Sequence, residues 1–168
     1  MNLGWQIFFD VDRVLHIFAG IMWIGLLYYF NFVQVPAFAK MEASARTNAI
    51  QNLVPRALFF FRWAALATVI FGLAYVIGLG IHLGRGYFKT AEFYNIAIGG
   101  TIGIIMASNV WFIIWPNQKK IIASAMAGKP PDPTWGRKGL LASRTNTAFS
   151  LPMLFFMVAA LHLQQLWA

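Results

Sequence analysis

The sequence predicts an all-α fold: an integral membrane four-helix bundle, N-out and C-out, forming one membrane domain over residues 1–168. Three observations carry this. The chain is 60% hydrophobic and only 11% charged, whereas a soluble domain carries about 25% charge. Four stretches, 14–39, 63–84, 93–118 and 145–168, contain no Asp, Glu, Lys or Arg, and a helix needs about 20 apolar residues to cross a bilayer. None of them alternates with a period of two. Inside lipid every backbone polar group must be paired internally, so helix is the expected form.

The elements follow in order. The first helix is expected over about 14–37. Ala37-Phe38-Ala39 imitates a cleavage site, but the apolar run is longer than a signal h-region and follows Asp10, Asp12 and Arg13, so a retained span is expected. The second covers about 58–83, where Gly72, Gly78 and Gly80 permit close packing or leave room for a flat macrocycle. The third covers about 94–115. Its row Gly99, Gly103 and Ala107 should seat a neighbouring helix. Pro116 should end it, with Asn117 and Gln118 capping its last carbonyls. A stiff polar connector follows at 128–133. The fourth helix is expected over about 147–167, where Pro152 can introduce a kink.

Charge sets the expected topology. Thirteen Lys and Arg face five Asp and Glu, a formal net charge of +8. Lys40, Arg46, Arg56, Arg62, Lys119, Lys120, Lys129, Arg137, Lys138 and Arg144 lie in or beside the two long loops. Arg13, Arg85 and Lys89 alone lie on the other side. The positive-inside rule puts both long loops in the cytoplasm. The excess charge is then an orientation signal and a contact for membrane lipid headgroups. No nucleic acid partner is expected, because no soluble basic module remains. The absence of cysteine excludes disulfides, thiolate nucleophiles, iron–sulfur ligands and covalent c-type haem attachment. The spans hold no carboxylate, which argues against proton-coupled transport.

The three histidines, His16, His82 and His162, all fall near the outer face of this topology. Imidazole is a common ligand of haem iron and other metals. A b-type haem is therefore the expected cofactor, with His16 as one ligand and His82 or His162 as the other. Arg13, Arg85 and Lys89 lie on the same side and would face its propionates. Helical phase puts His16, Gly20, Trp23, Leu27 and Gln34 on one stripe of the first helix. Thr68, Tyr75 and His82 recur at sevens on the second. His162 falls off the stripe of Asn146, Ser150, Met153 and Met157 on the fourth. Arg144 and Asn146 open the fourth helix, either holding the loop or binding an anionic or purine-like ligand; the structural role is preferred, since helix ends need partners.

Three segments resemble a known family. They are 15–25 (Leu15-His16-Ile17-Phe18-Ala19-Gly20-Ile21-Met22-Trp23-Ile24-Gly25), 109–120 from Asn109 to Lys120, and Ser143-Arg144-Thr145-Asn146 running into Ser150-Leu151-Pro152-Met153-Leu154-Phe155. They are similar to the N-terminal membrane domain of bacterial urate oxidase, the urate hydroxylase type. The resemblance implies a redox protein of the bacterial inner membrane, with urate oxidation to 5-hydroxyisourate as the reaction. Longer members carry a C-terminal cytochrome c. This chain has no CxxCH, so electrons are expected to pass to a separate cytochrome c or a larger membrane complex. The competing expectation is a non-catalytic accessory subunit of a respiratory or oxidase complex, its small-residue row and aromatic faces serving as partner contacts. Self-association into a homo-oligomer is compatible with either reading.

Overall fold

The computed structural model describes residues 2–162, with side chains as far as residue 159. The described residues are helical with no strand, so the all-α class holds. Helix α1 spans Leu3–Lys40, α2 spans Ala43–Asn52, α3 spans Val54–Leu83, α4 spans Ala91–Met126 and α5 spans Pro133–His162. A short 3-10 turn, Arg85–Lys89, joins α3 to α4. Helices α1, α3 and α4 are long and apolar enough to cross a membrane. The last residues of the expected fourth span, 163–167, lie outside the described residues.

Three of the expected ends move by more than ten residues, the largest shift being the start of α5 at Pro133, fourteen residues before position 147. Helix α1 begins eleven residues before position 14, because Asn2 caps it by accepting the Trp5 N–H at 3.0 Å and no glycine or proline interrupts Asp10 to Arg13. Pro116 does not stop the third helix. The turn Val110–Ile114 widens to π geometry, and the Trp115 N–H bonds back five residues to the Val110 carbonyl. That change of register admits the proline at the start of the next α-helical turn, and the helix runs on to Met126. Asn117 therefore caps no helix end; its side chain donates within the continuous helix to Ile113 O at 2.7 Å. Helix α1 repeats the device: Tyr29–Gln34 is π-helical, the Val35 N–H reaches Phe30 O, and Pro36 follows. The helix α2 lies where the sequence suggested only a loop. From within it, Gln51 Nε2 donates to Ala125 O at 2.8 Å near the end of α4, beside the Gly128 N–H that the same carbonyl accepts at 3.2 Å.

The helices form two antiparallel pairs. Helix α1 lies along α3, and α4 lies along α5, while contact between α3 and α4 is light. Gly99 and Gly103 are buried, and a Cβ on Gly99 would sit 3.2 Å from Met153 O. The small-residue row therefore closes an internal helix pair, as expected of such a row. The main core joins the pairs through Trp23, Leu27, Phe30, Phe61, Met106 and Val110. A smaller cluster of Phe9, Leu79 and Tyr87 packs nearer the N-terminal end.

Candidate functional site

Between those two clusters the four long helices leave a cavity of about 390 Å³, lined almost wholly by apolar atoms. Its polar wall comes from Arg13 and His16 on α1 and from Thr68 and Tyr75 on α3. The opposite wall comes from 93–104 on α4 and from Met153 and Met157 on α5. Pockets for small ligands and cofactors usually measure about 300–1,000 Å³ and are mostly apolar with a few placed polar groups.

His16 is held on one side only. Its Nδ1–H donates to the Thr68 backbone carbonyl at 2.9 Å. That carbonyl is available because it can accept a second hydrogen bond beside its own helix. In the neutral ring the arrangement fixes the proton on Nδ1 and leaves Nε2 with a free lone pair, as metal-ligating histidines are commonly arranged. Gly72 provides the space: a Cβ there would lie 2.9 Å from His16 Cε1. One turn toward the N-terminal end, Arg13 donates to the Tyr75 hydroxyl at 2.6 Å, with its guanidinium 5.4 Å from the ring centre. Trp23, 1% exposed, forms part of the cavity wall, and its indole N–H has no partner.

The remaining expected residues are placed elsewhere. The His82 ring packs 5.4 Å from Trp5 and 6.2 Å from Phe9. It is ten residues beyond Gly72, hence about 15 Å further along α3, and it does not line the cavity. Arg85 and Lys89 are exposed on the 3-10 turn and do not line it either. His162 ends α5, and its side chain lies outside the described residues. Among the described residues no three His, Asp or Glu side chains gather as a metal cluster.

Phase reasoning identified the stripe His16–Trp23 and the pair Thr68 and Tyr75. It did not single out Gly72 as the recess for the His16 ring, since a cross-helix contact leaves no trace in one helix's periodicity. It also gave Met157 no place in the cavity.

Asn146 makes contacts of the kind that the structural reading expects. It is fully buried, donates to Met106 O at 2.9 Å and accepts from Asn109 Nδ2 at 2.9 Å. Nearby, Asn31 donates to Leu27 O and to Ser143 Oγ, both at 2.8 Å. Ser150 donates to Thr147 O, so it receives the Tyr28 hydroxyl at 2.8 Å. These polar contacts clasp both π-helical segments to α5.

Fold and cavity together define an all-α bundle with an apolar cavity between two helix pairs, in which His16 is the one histidine among the described lining residues. The family model described as urate oxidase N-terminal matches residues 82–168, and this chain belongs to that family. No curated protein and no solved structure matches it. The matched stretch supplies the α4 and α5 walls; His16, Arg13 and Tyr75 lie before it.

Proposed function

We propose that this chain is a small membrane redox subunit that holds a b-type haem in the cavity, with His16 as the residue that would bind its iron. The observation that carries this reading is the His16 arrangement: Nδ1 held by Thr68 O, Nε2 free, and a glycine recess behind the ring. A haem there would supply one-electron transfer. The chain's own part is to fix the imidazole tautomer, to exclude water with apolar walls, and to place Arg13 at the N-terminal side for a carboxylate.

Depth along the helices separates His162 from His82 as candidates for the second ligand, while helical phase turns position 162 about 140° from Met157 on the cavity wall. The Tyr28–Ser150 hydrogen bond sets α1 against α5. Twelve residues from each partner, in opposite chain directions, lie His16 and His162. Both helices rise about 1.5 Å per residue, so the two positions stand at one depth. His82 stands instead level with Trp5.

In this reading the long helices lie in the inner membrane of a bacterium, and ten of the thirteen cations hold the loops in the cytoplasm. Electrons pass to a cytochrome or a larger complex. The accessory-subunit reading loses one support, because the Gly99 row is spent on an internal contact. Urate oxidation is the reaction that the family name suggests for the whole system.

The test is the visible spectrum of the purified protein. A Soret band that is lost in His16→Ala supports the haem; a colourless folded protein from haem-replete cells overturns it. If His162 supplies the second ligand, His162→Ala should shift the Soret band, while His82→Ala should leave the spectrum unchanged. Urate consumption with an added cytochrome acceptor tests the reaction separately.

A further inference from the structure

A second feature lies at the other end of the bundle. The Arg62 guanidinium sits 3.9 Å from the Trp115 ring centre, and 5.8, 5.9 and 5.8 Å from Phe59, Trp63 and Trp111. Its Nε–H is buried without an acceptor. Among the described residues no carboxylate is paired with it. The cage comes from two helices: Arg62, Phe59 and Trp63 from the start of α3, Trp111 and Trp115 from the widened turn of α4 and the residue after it. The guanidinium lies against the Trp115 ring, and among the described residues its terminal N–H groups carry no hydrogen bond to protein. Arginine in this state binds phosphate through its planar fork.

We propose that Arg62 and its aromatic cage form a binding site for the phosphate of an anionic phospholipid headgroup. The proposal rests on the membrane reading of the bundle and is independent of the haem. A lipid is favoured over free phosphate by the walls: Phe59 is 49% exposed and Trp63 45%, so an apolar surface continues outward from the cation. Aromatic rings at that position suit the boundary between headgroup and acyl chain. Lys119, exposed and one turn beyond Trp115 on the same face of α4, adds a second cation. The loops at this end carry most of the other cations, which draw anionic lipid to this face.

The test uses the purified full chain in nanodiscs, with lipid retention read by native mass spectrometry and melting temperature read alongside. Phosphatidylglycerol should be retained over phosphatidylcholine, and should raise the melting temperature. Arg62→Gln should reduce that preference about fivefold, the effect of one interfacial cation. Lys119→Gln, an exposed change that keeps the cage, should reduce it in the same direction, and the exposed control Arg85→Gln, on the 3-10 turn at the opposite end of the bundle, should not. Inorganic phosphate alone should not raise the melting temperature. Equal preference in wild type and both variants overturns the site. Stabilisation by inorganic phosphate to the same extent overturns the lipid assignment. Failure of the haem spectrum leaves these outcomes unchanged, so the two proposals are separable.

Discussion

His16 and Gly72 divide one volume between them. The ring fits against α3 only because residue 72 has no Cβ, and a methyl group there would approach Cε1 to 2.9 Å. Gly72→Ala should therefore push the imidazole off the Thr68 carbonyl. Overpacking of this kind costs about 1–3 kcal/mol. The expected outcome is a lower haem-to-protein absorbance ratio with helix content by circular dichroism unchanged; an unaltered ratio contradicts the placement of the ring. Asn146 makes a different residue-scale prediction. Its truncation to Ala leaves the half-buried Asn109 Nδ2 without its partner and removes one of the two hydrogen bonds that Met106 O accepts. A buried polar group left unpaired costs about 1–3 kcal/mol. Asn146→Ala should lower the melting temperature clearly while leaving anion and cofactor binding in place, and a ligand-binding defect at unchanged stability would contradict the structural role.

At the scale of elements, the pairing of α4 with α5 depends on close approach. Gly99 faces backbone, Met153 O at 3.2 Å, and also Met157 Cε and Phe156 Cβ at 3.2 Å. Backbone cannot step aside as a side chain can, so Gly99→Leu should separate the pair. Loss of the folded species in detergent is expected, whereas Gly100→Ala, which meets only Met157 Cε at 3.9 Å, should be tolerated. The start of α5 gives a pH prediction. Asp132 accepts the Thr134 backbone N–H at 2.8 Å, and that bond holds its carboxyl below the ordinary carboxylate range. A depressed pKa stabilises the capped turn above the ordinary carboxylate value, near 4, and the contribution is lost as pH falls through the lowered one. Exchange of the Thr134 amide should accelerate in that acid window, and Asp132→Ala should be fast throughout.

The same scale shows what was legible in the sequence. Charge-free runs located the long helices because lipid admits few alternatives to helix. They misplaced ends where the determinant was local. Asp10, Asp12 and Arg13 read as a boundary, yet a charge does not stop a helix. Pro116 read as a stop, yet a widened turn ahead of it absorbs the missing N–H. The short helix α2 has weak apolar periodicity and was invisible for that reason. Of the candidate site, His16 and Arg13 came together as residues of one helix. His82 did not join them, because shared sidedness and a seven-residue phase say nothing of depth along α3.

At the scale of the whole molecule, the bundle has two distinct ends. The end with the long loops is a clasped polar belt with an aromatic-caged cation. The end with the N-terminus holds an apolar chamber whose single described imidazole is tethered at one nitrogen and free at the other. The central claim is that this free nitrogen binds iron, and chemical rescue tests it most directly. His16→Gly should lose the Soret band, and imidazole added to the purified variant with haem should restore it by filling the vacated recess. Full haem binding by His16→Gly without imidazole, at wild-type affinity and with a wild-type spectrum, would contradict the account.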